Sequence, residues 1–88
     1  MSNYPRREVR WFAERMERKL QQNDHKGGWN NDSFHALLRR MREEVDELES
    51  AQSDQEKLID ECADVANFAM MIAENALVEQ IGKVLSSE

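Results

Sequence analysis

Two pairs of acidic residues are the side chains of this chain best suited to chemistry. Glu44 and Glu47 form one i,i+3 pair, and Glu61 and Asp64 form the other. On two antiparallel helices these carboxylates would fall within roughly 10 Å along the axis, because a helix rises about 1.5 Å per residue. Carboxylates without paired His or Cys suit Mg²⁺ or Mn²⁺ better than Zn²⁺. Since Mg²⁺ shares open positions with substrate phosphates, the pattern predicts metal-assisted hydrolysis of a phosphate anhydride.

The two pairs differ in how well they fit a simple solvated surface. Glu44 and Glu47 alone would be an ordinary charged face, and Glu43 points away from them on the helical wheel. Glu61 and Asp64, however, lie beside the most apolar segment, where an unpaired charge is costly to bury. Asn67 continues their i,i+3 series into that segment, which favours a functional polar strip.

Composition places the chain among small, single-domain helical proteins. It has 88 residues with one proline and three glycines, so a single all-α domain over residues 1–88 is predicted. The net charge of -6 argues against binding a nucleic-acid polymer. The single cysteine excludes an internal disulfide and fits a reducing compartment. No apolar run approaches the length of a membrane span, so no membrane association and a cytoplasmic location are expected.

Three helices can be read from the apolar periodicity and the capping signals. The first is predicted over Arg6–Gln22, and the second from Asp32 or Ser33 to about residue 49. A capping box at Ser53-Asp54-Gln55-Glu56 predicts a third helix from about residue 54. The short break between the last two helices implies an antiparallel hairpin. The predicted packing stripe of the second helix, with Leu37 alongside, consists of Phe34, Leu38, Met41, Val45 and Leu48.

The third helix is apolar nearly all round between Val65 and Ile72. Such a helix must be covered on all sides, which two short helices cannot do. The predicted fold is therefore a helical hairpin plus an N-terminal helix, completing a four-helix-bundle-type core by oligomerisation. Beyond Ala76 the pattern is equally compatible with a continued, bent or frayed helix.

Turn-forming residues dominate the segment from Asn23 to Asp32, yet it carries a tryptophan. Trp29 either fills part of the core or faces a ligand, and the sequence does not favour one over the other. His25 is expected to be a solvated loop residue, and His35 is given no role.

The spacing of these motifs resembles a known family. The sequence EEVDEL at 43–48 followed by ECADV at 61–65 is similar to the ExxE…ExxD signature of MazG-like all-α nucleoside triphosphate pyrophosphohydrolases. HKGGW at 25–29 and ADVANFAMMIA at 63–73 resemble its small single-domain bacterial and phage branch. The resemblance covers about residues 10–78.

The resemblance implies an enzyme that cleaves nucleoside triphosphates between the α and β phosphates, giving a nucleoside monophosphate and pyrophosphate. It also implies a homodimer or homotetramer. Lys26 would meet phosphate, Trp29 would stack on the base, and Asn67 would bond the sugar or base. Lys57 would be a further phosphate contact, although a solvated surface lysine is the commoner case. The acidic residues expected to bind Mg²⁺, or alternatively Mn²⁺, and to carry catalysis are Glu44, Glu47, Glu61 and Asp64.

Two other functions stay open at this point. The chain would be a non-catalytic helical oligomerisation or interaction module if its acids served only solubility. A relative acting on a phosphoribosyl-nucleotide is a third reading, which the tryptophan-containing loop places lower. No second basic cluster able to bind a triphosphate is visible in the sequence, so a partner subunit is expected to complete the site.

Overall fold

The structure is a computed structural model that describes residues 3–87, so residues 1, 2 and 88 of the predicted domain lie outside it. Within that range the chain is helical and contains no strand, which confirms the all-α prediction. No helix in this range is long and apolar enough to span a membrane. The elements are α1 (Arg7–Gln22), a 3-10 turn (Asp24–Lys26), α2 (Phe34–Ser50) and α3 (Gln55–Ser86).

Side-chain caps fix where α2 and α3 begin. Ser33 Oγ accepts the backbone N–H of Ala36 at 3.1 Å, which confirms one of the two predicted caps. The predicted capping box of α3 is wrong by one residue. Asp54 rather than Ser53 is the cap, and its Oδ1 accepts the N–H of Lys57 at 3.2 Å. A carboxylate is favoured at this position because it also complements the positive end of the helix dipole.

The hairpin of α2 and α3 turns through the short segment that follows Ser50. Ala51 is buried at this turn, and its N–H bonds the carbonyls of Glu47 and Leu48. α3 is the central helix, since both α2 and α1 pack against it. The buried apolar residues of the described chain are Leu37 of α2, Ala51 at the turn, and Ala63 and Phe68 of α3.

α3 has 32 residues, whereas α2 has 17 and can cover only about half of it. It continues as a helix past Asn75 and Gly82 to Ser86, which settles the question left open beyond Ala76. The accessible surface of 7164 Å² exceeds the roughly 5,400 Å² of a compact monomer of this mass. The excess fits a chain that buries more surface by self-association. The exposed large apolar residues of α3 after Ala76 are Leu77, Val78, Ile81, Val84 and Leu85.

Oligomerisation stays a prediction, and these exposed residues give it a direct test. We expect the protein to be at least dimeric, and the double substitution Leu77→Glu, Ile81→Glu to shift it toward monomer, because two charges would have to be buried. Light scattering after gel filtration measures the change. Gln80→Glu, at an exposed polar position of the same helix, controls for added charge. A monomeric wild-type protein would contradict the prediction.

Candidate metal and nucleotide site

Three of the four predicted acidic residues converge where α2 meets α3. Glu44, Glu61 and Asp64 each offer a carboxylate oxygen, and these oxygens lie within 4.8 Å of one another. The antiparallel hairpin produces this arrangement, because residues equally far from the turn lie side by side. We call these three residues the acidic cluster. Glu47, one turn further along α2, is exposed and lies at the margin of the cluster.

The acidic cluster holds more acceptor oxygens than the chain supplies donors. Glu44 Oε2 and Glu61 Oε2 are buried, and neither has a hydrogen-bond partner among the described residues. A buried acceptor without a partner costs free energy that a bound cation would recover. These oxygens, with those of Asp64, form the hard donor set that Mg²⁺ and Mn²⁺ prefer. The residues present therefore fit a divalent metal.

Burial and mutual repulsion alter the acidity of the cluster. Burial, followed by the hydrogen bond that only a protonated Glu44 can donate to Glu61 and by the negative charges of Asp64 and Glu47, raises the pKa of Glu44 to about 7 from an ordinary value of 4.5. Burial also raises the pKa of Glu61. It raises the pKa of Asp64 too, although Lys19 opposes that shift. Without metal, the cluster therefore keeps protons that a divalent cation would displace.

These shifts predict a pH-dependent stability of the metal-free protein. Because Glu44 has a higher pKa folded than unfolded, the folded state binds more protons between pH 4.5 and about 7. Its contribution to the free energy of unfolding must fall as pH rises through this window. Glu44→Gln, which cannot ionise, should match the wild type at pH 4.5 and melt at a higher temperature than the wild type at pH 7.5.

Thermal melts in EDTA across this pH range measure the difference between the two proteins. Glu43→Gln removes an exposed acid of the same helix and should show no pH-dependent difference from the wild type. An equal melting temperature of Glu44→Gln and wild type at pH 7.5 would contradict the raised pKa. Mg²⁺ should raise the wild-type melting temperature at that pH, because it binds the folded state.

A lysine from α1 contacts the acidic cluster. Lys19 Nζ lies 3.4 Å from Asp64 Oδ2, with both side chains about one-fifth exposed. Asn67 Nδ2 donates to the Met16 carbonyl at 3.0 Å and ties α3 to the same helix. Sequence reasoning missed Lys19, because its contact depends on how α1 is rotated against α3. The only signal was its place next to Leu20, a residue of the predicted apolar stripe.

A cavity of about 460 Å³ opens beside the acidic cluster, within the usual size range of small-molecule sites. Lys26, Trp29 and Asn67, all predicted to contact substrate, line it together with Glu44 and Asp64. We call it the main cavity. Its other lining residues include Lys19, Asn23, Asp32, Arg40, Phe68 and Met71.

The main cavity is lined by basic residues that do not form a cluster in the sequence, and completion of the site by a partner subunit stays a prediction. Lys19, Lys26 and Arg40 come from α1, the loop and α2, and all three line it. The Arg40 guanidinium also lies 4.7 Å from the centre of the Phe68 ring, a distance that permits a cation–π interaction. Three basic residues thus line the same cavity as Glu44 and Asp64.

Trp29 and Lys57 line different cavities. Trp29 is half-buried, and its ring nitrogen is buried without a partner among the described residues, so the ring both packs and faces the main cavity. Lys57 instead lines a separate cavity near the hairpin turn with Glu47 and Glu61. The structure therefore separates Lys57 from the other predicted substrate-binding residues. His25 is exposed in the loop, as expected.

Comparison with known proteins identifies the family. The family model for phosphoribosyl-ATP pyrophosphohydrolase matches residues 9–82, which include both acidic pairs and the loop. The chain belongs to the phosphoribosyl-ATP pyrophosphohydrolase family. This family lies within the MazG-like all-α superfamily, as the sequence resemblance indicated, and its members are nucleotide pyrophosphohydrolases. No curated protein and no solved structure gave a match.

Proposed function

We propose that the protein is a Mg²⁺- or Mn²⁺-dependent nucleoside triphosphate pyrophosphohydrolase. It cleaves between the α and β phosphates and releases a nucleoside monophosphate and pyrophosphate. The observation that carries this proposal is the acidic cluster: two of its buried oxygens lack hydrogen-bond partners among the described residues, and Glu44 and Asp64 line a cavity that three basic residues also line. Acidic and basic groups that line one cavity suit a substrate that brings both a metal and phosphates.

Each part of the site has a distinct task in this proposal. Glu44, Glu61 and Asp64 would hold the metal, with Glu47 near enough to complete the ligand set. The bound metal would neutralise phosphate charge and lower the pKa of an attacking water. Lys19, Lys26 and Arg40 supply further positive charge to the phosphates, which an acidic cluster alone would repel. The base would lie against the apolar wall of the main cavity, formed by Trp29, Phe68 and Met71.

The family match gives a second candidate substrate. Phosphoribosyl-ATP carries the same triphosphate as a nucleoside triphosphate, so removal of pyrophosphate from it needs the same metal and water chemistry. The match over residues 9–82 favours this substrate, which the sequence alone placed behind the common nucleotides. The two candidates differ in the group attached to the base and not in the bond that breaks.

A nucleotide panel tests the proposal and separates the candidates. The protein is incubated with Mg²⁺ and each NTP, dNTP or phosphoribosyl-ATP, and the products are resolved by ion-exchange chromatography. We expect a monophosphate and pyrophosphate, with the higher kcat/KM identifying the substrate. Release of orthophosphate would contradict cleavage between the α and β phosphates.

The non-catalytic helical module makes the opposite predictions. It requires that folded protein turns over no nucleotide and that Mg²⁺ leaves the melting temperature unchanged. The proposed enzyme instead gains stability from metal and nucleotide by mass action. Both hypotheses predict a homodimer or homotetramer, so the oligomeric state does not distinguish between them.

A further inference from the structure

The segment between α1 and α2, residues 23–33, carries two of the proposed substrate contacts but is weakly attached to the rest of the fold. Its residues are exposed except for half-buried Trp29. Gly27 adopts a φ of 88°, and a side chain at Gly28 would meet nothing within 4 Å. Segments with few buried contacts open easily. Something must hold Lys26 and Trp29 at a fixed distance from the acidic cluster.

Most hydrogen bonds of this segment are local. The N–H of Lys26 bonds the Asn23 carbonyl, and the N–H of Asp32 bonds the Trp29 carbonyl at 3.0 Å. One bond reaches further: Asn75 Nδ2 of α3 donates to the same Trp29 carbonyl at 3.1 Å, across 46 residues of sequence. The Trp29 carbonyl thus joins the turn of the segment to the central helix.

Asn75 does not line the main cavity. It borders a second, more apolar cavity of about 630 Å³ together with Asn30, Asp32 and Phe34. Asn75 therefore reaches the substrate region only through the Trp29 backbone. Asn75 lies on the same continuous helix as Glu61 and Asp64. Its hydrogen bond to the Trp29 carbonyl therefore sets the position of the segment relative to the acidic cluster.

We propose that Asn75 is a positioning residue for nucleotide binding. Its amide fixes the Trp29 backbone to α3 and thereby holds the Trp29 ring and Lys26 at the main cavity. This inference rests on the proposed function, because it assigns a purpose to the position of those two side chains. Loss of the Asn75 amide donor should weaken nucleotide binding and leave the hydrolytic step intact, since no member of the acidic cluster moves.

The test uses the full chain in a Trp11→Phe background, where Trp29 is the one remaining tryptophan of two. Asn75→Asp keeps the shape but removes the donor, and Asn75→Ala removes the amide without adding charge. Asn75→Gln keeps an amide donor on a longer side chain and should therefore retain part of the hydrogen bond and show smaller changes than the other two variants. Gln80→Glu makes the same amide-to-carboxylate change at an exposed position of α3.

Two measurements are made on each protein. Acrylamide quenching of Trp29 fluorescence, without nucleotide, should increase in Asn75→Asp and Asn75→Ala but not in Gln80→Glu. The KM for the best substrate of the panel should rise about 5-fold in Asn75→Asp and Asn75→Ala, the equivalent of one hydrogen bond, with kcat unchanged.

The outcomes separate this inference from the proposed function. Unchanged quenching in Asn75→Asp and Asn75→Ala would overturn the attachment of the segment. Increased quenching with an unchanged KM, or a loss of kcat alone, would overturn the role in binding. A wild-type protein without turnover would refute the proposed function and the role in binding together, while the quenching result would still decide whether Asn75 holds the segment.

Discussion

Glu61→Gln and Asp64→Asn should each lower pyrophosphate release at least about 100-fold, because ligand-supporting groups alone are typically worth 10- to 100-fold. Each substitution preserves the shape of the side chain and removes the charge that would hold the metal. Helical content should stay intact, since the amides relieve repulsion within the acidic cluster. Pyrophosphate release at saturating nucleotide and Mg²⁺, with circular dichroism of the same samples, measures both quantities.

Two further variants on α2 sharpen this experiment. Glu43→Gln removes an exposed acid beside Glu44 and should retain wild-type activity. Glu47→Gln tests the fourth predicted ligand: its marginal position predicts a higher Mg²⁺ requirement and a smaller loss than at Glu61. Retained activity in Glu61→Gln and Asp64→Asn would refute the assignment of the acidic cluster as a metal site.

Leu37→Ala should destabilise the protein by about 2–5 kcal/mol, the usual cost of a buried Leu→Ala change. Leu37 is only 1% exposed and is the largest fully buried side chain among the described residues. In so small a domain this cost is a large part of the total free energy of unfolding. Urea unfolding at a fixed protein concentration measures it, because self-association makes stability depend on concentration.

Val45→Ala is the matched control for Leu37→Ala. Val45 is on the same helix but is 43% exposed, so its truncation should change the free energy of unfolding by about 0.5 kcal/mol or less. Equal losses in the two variants would show that the α2–α3 contact is not centred on Leu37.

Local signals were enough to predict the hairpin and the convergence of three of its carboxylates. Helical periodicity, the Ser33 cap and the short break place Glu44 near Glu61 and Asp64 without knowledge of distant contacts. The slip from Ser53 to Asp54 arose because adjacent residues can both cap a helix. Periodicity also placed Leu37 beside the packing stripe and Val45 within it, although the structure buries Leu37 and exposes Val45. A helical wheel gives the apolar side of a helix but not the line along which its neighbour packs.

The missed features are all contacts between elements distant in sequence. Lys19 meets Asp64 only because α1 packs on α3 in one particular rotation. Asn75 meets the Trp29 carbonyl only because the segment after α1 folds back toward the middle of α3. Arg40 lies over Phe68 for the same kind of reason. Spacing along one helix carries no information about these rotations, so Lys19 and Arg40 could not be assigned to the main cavity, whereas Lys26 was predicted from its loop motif.

The proposed metal-binding and substrate-binding residues lie on two kinds of backbone, helical and irregular. The carboxylates lie on two packed helices, whereas Trp29 and Lys26 lie on an exposed segment attached to α3 through Asn75. Exposed connecting segments tolerate changes of sequence and length far better than packed helices do. If the proposed function holds, the range of accepted nucleotides should therefore change when this segment is exchanged, while the acidic cluster on the two helices stays in place. For engineering of the proposed enzyme, the segment as far as Asp32 is the interval to randomise when a new base preference is sought, because Ser33 caps α2.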